Sequence, residues 1–599
     1  MGLGRDPHWG RASHLLFATH YHGTVDKHDT SYCQVAPSHG MSIVDVIDNA
    51  GLHDWYKART GLALAPSYDH LRPQQGEALE WALSRPEPYL FINAPTGAGK
   101  TLINLLYGAL AGESWSYAVH TIRLQAQVQR DVGGLTSLTG RANHPCLIGR
   151  ETHGFDIDAG RAICTVGEWC EHSGRNGDEG QHPSGIQCAY YSQLDAALDA
   201  RYRITNYAML LSMPPLTGWD GKHNRPRSEV LLADEAHNIE EAVAGHASLT
   251  LTARTLEQYG EEMPAYGPDL QAWAQWAARV LRALPSPTAV RGTGRRPDFG
   301  LKSLRNTLDT LANLGPRDVG VWLVTTNAGR YASTVFEPIW GSQFVMGQLF
   351  GHRPQGRLED YLTQEYKGVR KVMFTSATLM GPEFIADTLG LPRGSWAYLD
   401  LPSTFDPSHR PINYCPVDTM NREKVGSPAG RATMQVAIDK LIEHYYNLGQ
   451  CVGIVHAVSN AYRDAILTES RWKGMMTTDP AVHELRVNAN RPSVLVAANL
   501  SEGYDGRDGL CRFIVMPKVP FPSLGDRRTA VRREEDPRSY DHRTLVAVVQ
   551  GAGRGVRHRE DYADTWLLDG AWRIPFNNRR EWLPDSFMDA YHSGVALPE

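Results

Sequence analysis

A glycine-rich turn that ends in Lys-Thr carries the clearest chemistry in this sequence. Residues 91–101 read FINAPTGAGKT, which fits the phosphate-loop pattern G-x-x-x-x-G-K-[ST] when Ala94 takes the first glycine position. Backbone N–H groups there would cradle the β- and γ-phosphates of a nucleotide, Lys100 would counter their charge and Thr101 would offer its hydroxyl to Mg²⁺. The predicted nucleotide contacts are Thr96, Gly97, Ala98, Gly99, Lys100 and Thr101.

The elements on either side of this turn support the prediction. A simple glycine turn between a buried strand and a helix is the alternative. The apolar run LFIN before the turn predicts a strand, and LINLLYGAL after it predicts a helix. A strand, a glycine-rich turn and a helix in this order favour a phosphate loop.

An acidic motif follows a second apolar run. Residues 230–237 read VLLADEAH, a buried-strand pattern that ends in two carboxylates and a histidine. Asp234 is predicted to hold Mg²⁺ through water, and Glu235 to polarise the water that attacks a phosphoanhydride. We expect His237 to couple this site to a second lobe.

A basic segment near the end of the chain predicts the other side of such a site. Residues 550–561 read QGAGRGVRHRED. Arg554 and Arg557 lie three positions apart, which predicts that they share one helical face, with Gln550 one turn earlier on it. Both arginines could then reach the γ-phosphate, and an arginine finger can contribute about 10³–10⁵ in rate. The alternative is an ordinary solvated basic helix.

Four cysteines fall within one short stretch and suggest a metal centre. Cys146, Cys164, Cys170 and Cys188 are separated by 17, 5 and 17 residues, whereas zinc sites usually bring cysteines in C-x₂₋₄-C pairs. Thiolates on long loops suit a bulkier iron-sulfur cluster, so a 4Fe-4S cluster is favoured. Zinc and unrelated buried thiols remain alternatives.

Length, composition and charge set the wider frame. The 599 residues predict three to five domains, and the globular composition argues against disorder. The net charge of −6 neither indicates nor excludes a nucleic-acid partner, because a basic groove can lie on an acidic body. No apolar run reaches the ~18 residues that would span a bilayer, so we expect a cytoplasmic protein without membrane contact.

Taken in order, these motifs resemble the XPD/DinG-like family of superfamily-two iron-sulfur DNA helicases of the DEAH-box type. The resemblance extends from Leu71 to Trp572. The segments that carry it are APTGAGKT, GRANHPC, ITNYAMLL at 204–211, DEAHN at 234–238, TSATL at 375–379, EGYD at 502–505, PFPSL at 520–524 and QGAGRGVR at 550–557.

The resemblance implies an ATP-dependent 5′→3′ DNA helicase with ATP, Mg²⁺ and a 4Fe-4S cluster. It assigns single-stranded, forked or R-loop DNA as the substrate and repair as a context. It further implies that Gln75 binds adenine with Arg72 beside it in the nucleotide site, that Thr121 and Gln125 contact the nucleic-acid backbone, and that Gly503 and Asp505 link nucleotide to nucleic acid. A helical arch is implied between the acidic motif and TSATL, in which we expect Trp273 and Trp276 to be core residues.

The predicted fold class is α/β, with two RecA-like P-loop lobes of parallel sheets flanked by helices, an inserted iron-sulfur domain and a reduced helical arch. The predicted domains are an N-terminal accessory segment (1–65), the first lobe in three parts (66–145, 191–245 and 336–395), the iron-sulfur domain (146–190), the arch-like insertion (246–335) and the second lobe (396–599).

A second hypothesis gives the chain a recruited role. In it, an ATP-gated helicase-like subunit docks through residues 1–65 on a nucleoprotein complex of a CRISPR system or a phage replication fork. The motor itself is expected to be a monomer.

Overall fold

The computed structural model describes residues 42–149, 156–162, 164, 170, 172, 188–213, 216, 219–220, 225–285, 298–329, 332–341, 369–498, 506 and 509–599. The fold below is that of Ile43–Glu599, which forms one compact unit. Within the described residues, none of the helices combines the length and the apolar character needed to cross a membrane.

The strands of the described residues are β1 (Ala63–Leu64), β2 (Tyr89–Asn93), β3 (Trp115–Val119), β4 (Val132–Gly133), β5 (Thr136–Leu138), β6 (Tyr202–Asn206), β7 (Trp219–Asp220), β8 (Arg225–Pro226), β9 (Val230–Asp234), β10 (Leu249–Thr252), β11 (Trp322–Asn327), β12 (Ser333–Pro338), β13 (Lys371–Ser376), β14 (Trp396–Asp400), β15 (Ile412–Asp418), β16 (Val452–His456), β17 (Met476–Thr477), β18 (Ser493–Ala497), β19 (Phe513–Met516), β20 (Asp564–Asp569) and β21 (Tyr591–Ser593).

The α-helices are α1 (Ile43–Ala50), α2 (Leu52–Thr60), α3 (Pro73–Ser84), α4 (Lys100–Ala111), α5 (Ile122–Asp131), α6 (Ala189–Asp199), α7 (Tyr207–Ser212), α8 (Ile239–Ala247), α9 (Ala253–Gln258), α10 (Leu270–Ala283), α11 (Phe299–Ala312), α12 (Pro382–Thr388), α13 (Arg422–Gly426), α14 (Pro428–Asn447), α15 (Asn460–Glu469), α16 (Pro480–Asn488), α17 (Arg527–Glu535), α18 (Arg538–Ala552), α19 (Arg573–Arg579) and α20 (Asp585–Met588).

Two seven-stranded sheets form the two predicted lobes. The first has the strand order β14-β2-β13-β9-β3-β6-β5, and the second has the order β17-β18-β16-β19-β20-β15-β21. All strand pairs within both sheets are parallel. Strands such as β3 and β9 are buried along their whole length, as expected for parallel sheets covered on both faces. The predicted α/β class with two parallel-sheet lobes is therefore confirmed.

The packing of the chain extends the first lobe in both directions. Strand β14 pairs with β2, so the first sheet includes Trp396–Asp400, just past the predicted boundary at residue 395. Residues 1–41 of the predicted accessory segment lie outside the described residues. Ile47, Leu52, Tyr56 and other residues of α1 and α2 are buried in the same hydrophobic core as the phosphate-loop helix α4. Apolar burial thus joins this end of the segment to the first lobe.

The insertion between β9 and β13 has a core of its own. Its strands form an antiparallel sheet in the order β10-β12-β11, against which α10 and α11 pack. The prediction of a helical insertion was incomplete, because it missed this sheet. Trp273 and Trp276 are buried in the core of the insertion, as predicted for these two residues.

Candidate active site at the interlobe cleft

The predicted phosphate loop lies at the carboxyl end of β2, where open parallel sheets bind ligands. It leads into α4, whose first residue is Lys100, so the free N–H groups of that helix face the loop. Ala94 is fully buried and donates its N–H to the Ser376 carbonyl, so the backbone of β13 supports the loop from behind. The local geometry is that of an anion cradle.

Two glycines give the loop its shape. Gly97 and Gly99 both have φ of +82°, a region that other residues seldom adopt. A Cβ on Gly97 would lie 2.2 Å from Cζ of Phe405, and one on Gly99 would lie 2.1 Å from Nε2 of Gln75. The positive φ therefore favours glycine at both positions, and a Cβ would also displace the Phe405 ring or the Gln75 amide.

Arg72 and Gln75 reach the phosphate loop and hold its backbone. Arg72 donates from Nη1 to the Gly97 carbonyl at 2.8 Å, and Gln75 donates from Nε2 to the Ala98 carbonyl at 3.1 Å. The Gln75 Oε1 accepts the backbone N–H of Arg72, and its side chain is buried. The Gln75 amide nitrogen carries a second N–H besides the one donated to Ala98, and the predicted contact of Gln75 with adenine stays a prediction.

The two carboxylates of the acidic motif have different surroundings. Asp234 ends β9 and is buried. Its burial is the main cause that raises its pKa, and the neighbouring Glu235 carboxylate raises it further, whereas Lys100 lowers it. Glu235 has φ of +51°, which turns the chain out of the strand and into the cleft. Its Oε1 lies 3.9 Å from Lys100 Nζ. The site thus contains one buried carboxylate and one that faces the cleft.

A chain of hydrogen bonds joins the second lobe to Glu235. The Gln550 amide nitrogen lies 2.8 Å from Nε2 of His237, whose Nδ1 lies 2.7 Å from the Ser376 hydroxyl. Ser376 in turn donates to Oε2 of Glu235 at 3.2 Å. The predicted coupling role of His237 therefore has a physical path, and Ser376 of the TSATL segment is part of it.

Arg554 and Arg557 do not share a helical face, and this part of the prediction was wrong. Helix α18 ends at Ala552 and is capped by Gly553, so both arginines follow it in a loop. Glycines at 551, 553 and 555 explain this, because glycine is a poor helix former and commonly ends helices. Both arginines nevertheless line the same cleft as Lys100, which has a volume of about 1350 Å³.

An ionic network next to the cleft was not foreseen from the sequence. Arg528 of α17 pairs with Glu240 at 3.1 Å and Glu241 at 2.6 Å, and Arg532 pairs with Glu240 at 3.0 Å. The two glutamates open α8, directly after the DEAHN segment. Burial would raise the pKa of Glu241, but the arginines, Arg528 first, hold it below its usual value. Sequence spacing could not reveal these pairs, because the partners lie almost 300 residues apart.

The four predicted cluster cysteines line one small cavity. Cys146, Cys164, Cys170 and Cys188 surround it, and the described cysteines form no disulfide. Arg141 lies beside them, with Nη1 3.6 Å from the Cys164 sulfur, and burial raises the pKa of the Cys146 and Cys170 thiols. Among the described residues, no three His, Cys, Asp or Glu side chains are grouped as ligands of a single metal ion.

Four further residues were predicted to contact nucleotide or nucleic acid. Two of them, Gly503 and Asp505, lie outside the described residues. Thr121 accepts the N–H of Leu124 and caps α5. Gln125 was expected to contact nucleic acid, but its side chain is buried and donates to the Ser137 hydroxyl and the Leu138 carbonyl at 2.8 Å. That expectation was wrong, because the amide is used inside the first lobe.

Comparisons with known proteins point to helicases. Residues 439–589 match the model of the helicase C-terminal domain. The ATP-dependent DNA helicase CHL1 of Saccharomyces cerevisiae (strain YJM789) is 34% identical over 113 residues, which is 15% of this chain and 13% of that protein. The regulator of telomere elongation helicase 1 homolog of Anopheles gambiae is 28% identical over 134 residues, 19% of this chain and 13% of its own length. The matched regions thus span only a small part of these relatives.

A solved XPD helicase structure shares the fold. It aligns with a TM-score of 0.51 and 16% identity over 87% of this chain and 99% of that one. The similarity covers both lobes, because the aligned share exceeds either lobe alone.

Proposed function

We propose that this chain is an ATP-dependent DNA helicase of the XPD/DinG-like superfamily-two family. The match to the helicase C-terminal domain, the helicase relatives and the shared fold support this proposal. In this proposal it moves 5′→3′ on single-stranded DNA and unwinds duplex, forked or R-loop substrates. The direction and the substrates rest on the family resemblance. The observation that carries the proposed activity is the hydrogen-bond chain from Gln550 through His237 and Ser376 to Glu235.

Each residue of the cleft has a role in this proposal. The cradle formed by Gly97 and Gly99 accepts the phosphates, and Lys100 balances their charge. Asp234 and Thr101 would hold Mg²⁺, which would supply further positive charge at the phosphates. Glu235 orients the attacking water and accepts its proton.

The second lobe completes this site. Arg554 and Arg557 line the same cleft as the phosphate loop, where their charge would stabilise the γ-phosphate in the transition state. When the lobes close, Gln550 bonds to His237 and so connects the second lobe to Glu235. Loss of the γ-phosphate removes the charge that draws the two lobes together, so hydrolysis is coupled to interlobe motion.

We further propose that Cys146, Cys164, Cys170 and Cys188 hold a 4Fe-4S cluster. The four thiols line one cavity, and thiolates are the ligands that iron-sulfur clusters prefer. Such a cluster would anchor the loops around it as a structural staple. In the proposal this domain acts as a wedge at the duplex junction, and the insertion between β9 and β13 acts as a reduced arch beside the DNA single strand.

The recruited role has less support from the described residues. It depends on residues 1–65, of which 1–41 lie outside the described ranges. Unwinding of forked DNA by the full chain and by a variant without residues 1–41 separates the two hypotheses, because a recruited subunit would need a partner complex to act. The cytoplasmic location and the monomeric state also stay predictions.

The decisive test of the activity is ATP hydrolysis with and without single-stranded DNA. Lys100→Ala and Glu235→Gln should abolish the DNA-stimulated turnover, because they remove phosphate neutralisation and water activation. The exposed residues Lys440 and Glu257 provide matched controls as Lys440→Ala and Glu257→Gln, which should hydrolyse ATP at the wild-type rate. Full turnover in the Lys100 or Glu235 variant would overturn the proposal.

The cluster is tested by colour and metal content. Purified chain should be yellow-brown and contain iron, and Cys164→Ala should lose the colour and the unwinding of forked DNA. Cys415→Ala removes a buried thiol of β15 in the second lobe and should keep both. Zinc without iron in the wild-type protein would show that the cluster assignment is wrong.

A further inference from the structure

A closed ring of buried side chains lies behind Asp234. Tyr117 donates its hydroxyl to Asp234 Oδ2 at 2.9 Å, and Thr375 donates its hydroxyl to Oδ1 at 3.2 Å. The Asn104 side-chain nitrogen closes the ring, at 3.1 Å from the Tyr117 hydroxyl and 2.8 Å from the Thr375 hydroxyl. The four residues come from α4, β3, β9 and β13, and all of them are buried.

The chemistry of these groups sets the direction of every proton. The amide nitrogen of Asn104 carries two N–H groups and can only donate, so both hydroxyl oxygens accept from it. Each hydroxyl therefore points its own proton at one carboxylate oxygen of Asp234. A side chain held by two directed donors from opposite sides cannot rotate without breaking one of these buried bonds.

The ring also leaves the two carboxylate oxygens unequal. A carboxylate oxygen has about two acceptor sites. Oδ1 accepts from Thr375 and from the backbone N–H of Glu235 at 2.9 Å, which fills both. Within the described part of the chain, Oδ2 accepts only from Tyr117. One acceptor site of Oδ2 is therefore available to a ligand.

We propose that Tyr117 is a positioning residue that, with Asn104 and Thr375, fixes Asp234 so that Oδ2 faces the water shell of a magnesium–nucleotide complex. This inference rests on the proposed ATP hydrolysis and names residues outside the phosphate loop and the DEAHN segment. Asn104 lies three residues after Thr101 on the same face of α4. The ring thus ties the helix that bears the Thr101 hydroxyl to the strand that bears the carboxylate.

The test measures binding of a fluorescent, non-hydrolysable ATP analogue to the full chain at increasing Mg²⁺, and also in EDTA. Tyr117→Phe should require about tenfold more Mg²⁺, as expected when a group that orients a metal-binding residue is lost. Its affinity in EDTA should equal that of the wild type, because the phosphate loop is untouched. A merely structural role of Tyr117 would weaken binding in both conditions or in neither.

Tyr56→Phe is the matched control. Tyr56 belongs to the same core as Tyr117, and its hydroxyl has no hydrogen-bond partner among the described residues. Tyr56→Phe thus removes the same phenolic oxygen from the same core as Tyr117→Phe does. The Mg²⁺ concentration that this variant needs to bind the analogue should equal that of the wild type.

Thr375 keeps the inference testable if Tyr117→Phe folds poorly. Thr375→Ser retains the hydroxyl and should bind as the wild type does, whereas Thr375→Val retains the shape and should need more Mg²⁺. Equal Mg²⁺ requirements for the serine and valine variants, or for Tyr117→Phe and the wild type, would overturn the inference. A wild-type chain that binds the analogue without any Mg²⁺ dependence would instead count against the proposed function itself.

Discussion

Gln550 of the second lobe and His237 of the first lie 2.8 Å apart, nitrogen to nitrogen, across the interlobe cleft. Because an amide nitrogen can only donate, Nε2 of His237 must accept, and the imidazole proton then lies on Nδ1, facing Ser376. Separation of the lobes breaks the first bond of this path. In the proposed mechanism, this loss would weaken the hold of the second lobe on Glu235.

Gln550→Ala is expected to uncouple the lobes. The DNA-stimulated rate of ATP hydrolysis should fall about fivefold, since one hydrogen bond contributes about 1 kcal/mol and a tenfold change in rate corresponds to about 1.36 kcal/mol. Nucleotide affinity should change little, because the phosphate loop is intact. The exposed Gln258 of α9 gives the matched control, Gln258→Ala, measured in the same steady-state assay. An unchanged rate in the Gln550 variant would contradict the coupling role.

Gly99→Ala should abolish nucleotide binding. The new Cβ would lie 2.1 Å from Nε2 of Gln75, so either the loop or its brace has to move. Gly260→Ala separates this collision from backbone strain, because Gly260 also has a positive φ, +77°, but nothing lies within 4 Å of its Cβ position. The control should lose only about 1 kcal/mol of stability and keep its nucleotide affinity. Equal nucleotide binding by the two variants would show that the close approach of Gln75 is unimportant.

Arg528→Met is expected to destabilise the closed arrangement of the lobes. Arg528 is buried and bonds to both Glu240 and Glu241, and its Nε also donates to the Pro338 carbonyl at 3.0 Å. Removal of one partner of a buried ion pair typically costs about 3–5 kcal/mol, because the remaining charge stays buried. The free energy of unfolding in urea measures the effect.

The same helix offers the control for this prediction. Arg533 of α17 is exposed, so Arg533→Met should change the stability by less than about 1 kcal/mol. If both variants lost a similar free energy of unfolding, the ion pairs with Glu240 and Glu241 would not be the cause of the loss.

Buried His456 is expected to lower the stability of the protein in acid. Burial, followed by the charge of Arg554, lowers its pKa from 6.5 to about 4. Below pH 6.5 the unfolded chain takes up a proton that the folded chain binds only near pH 4, so stability rises with pH across this window. The contribution is complete above pH 6.5 and is lost as the pH falls towards 4, by up to about 3 kcal/mol.

The pH dependence of urea unfolding checks this. His456→Leu should lose less stability between pH 6.5 and 4 than the wild type, because it has no group to protonate. His592→Leu, at an exposed position of β21, should follow the wild-type curve. A wild-type slope in the His456 variant would show that other groups cause the acid sensitivity.

Much of the site could be predicted from the sequence because its motifs are local. The glycine pattern of 91–101 depends on the conformation of one turn, and Lys100 is placed by the helix that follows it. The apolar run before Asp234 likewise specifies a buried strand whose end carries the carboxylate. Both predicted strands are present: β2 leads into the phosphate loop and α4, and β9 ends at Asp234. They belong to one sheet, in which β13 lies between them.

Two local predictions failed, for different reasons. Arg554 and Arg557 have helical spacing, but the glycines around them end α18 before the first arginine. Gln125 has the exposed pattern of a polar helix, yet its amide satisfies the Ser137 hydroxyl and the Leu138 carbonyl inside the lobe. The first outcome has a local cause in the glycines, whereas the second depends on how Ser137 and Leu138 pack against α5.

The sequence by itself determined the chemical types at the site: a phosphate cradle, two adjacent carboxylates, four clustered cysteines and two arginines. Short motifs suffice for this, since each places its residues through one turn or one strand end. Only the tertiary structure decided which groups meet, such as Gln550 with His237, Arg528 with Glu240, and Tyr117 with Asp234. These pairs are separated by 117 to 313 residues, and only the packing of the sheets and lobes brings them within hydrogen-bonding distance.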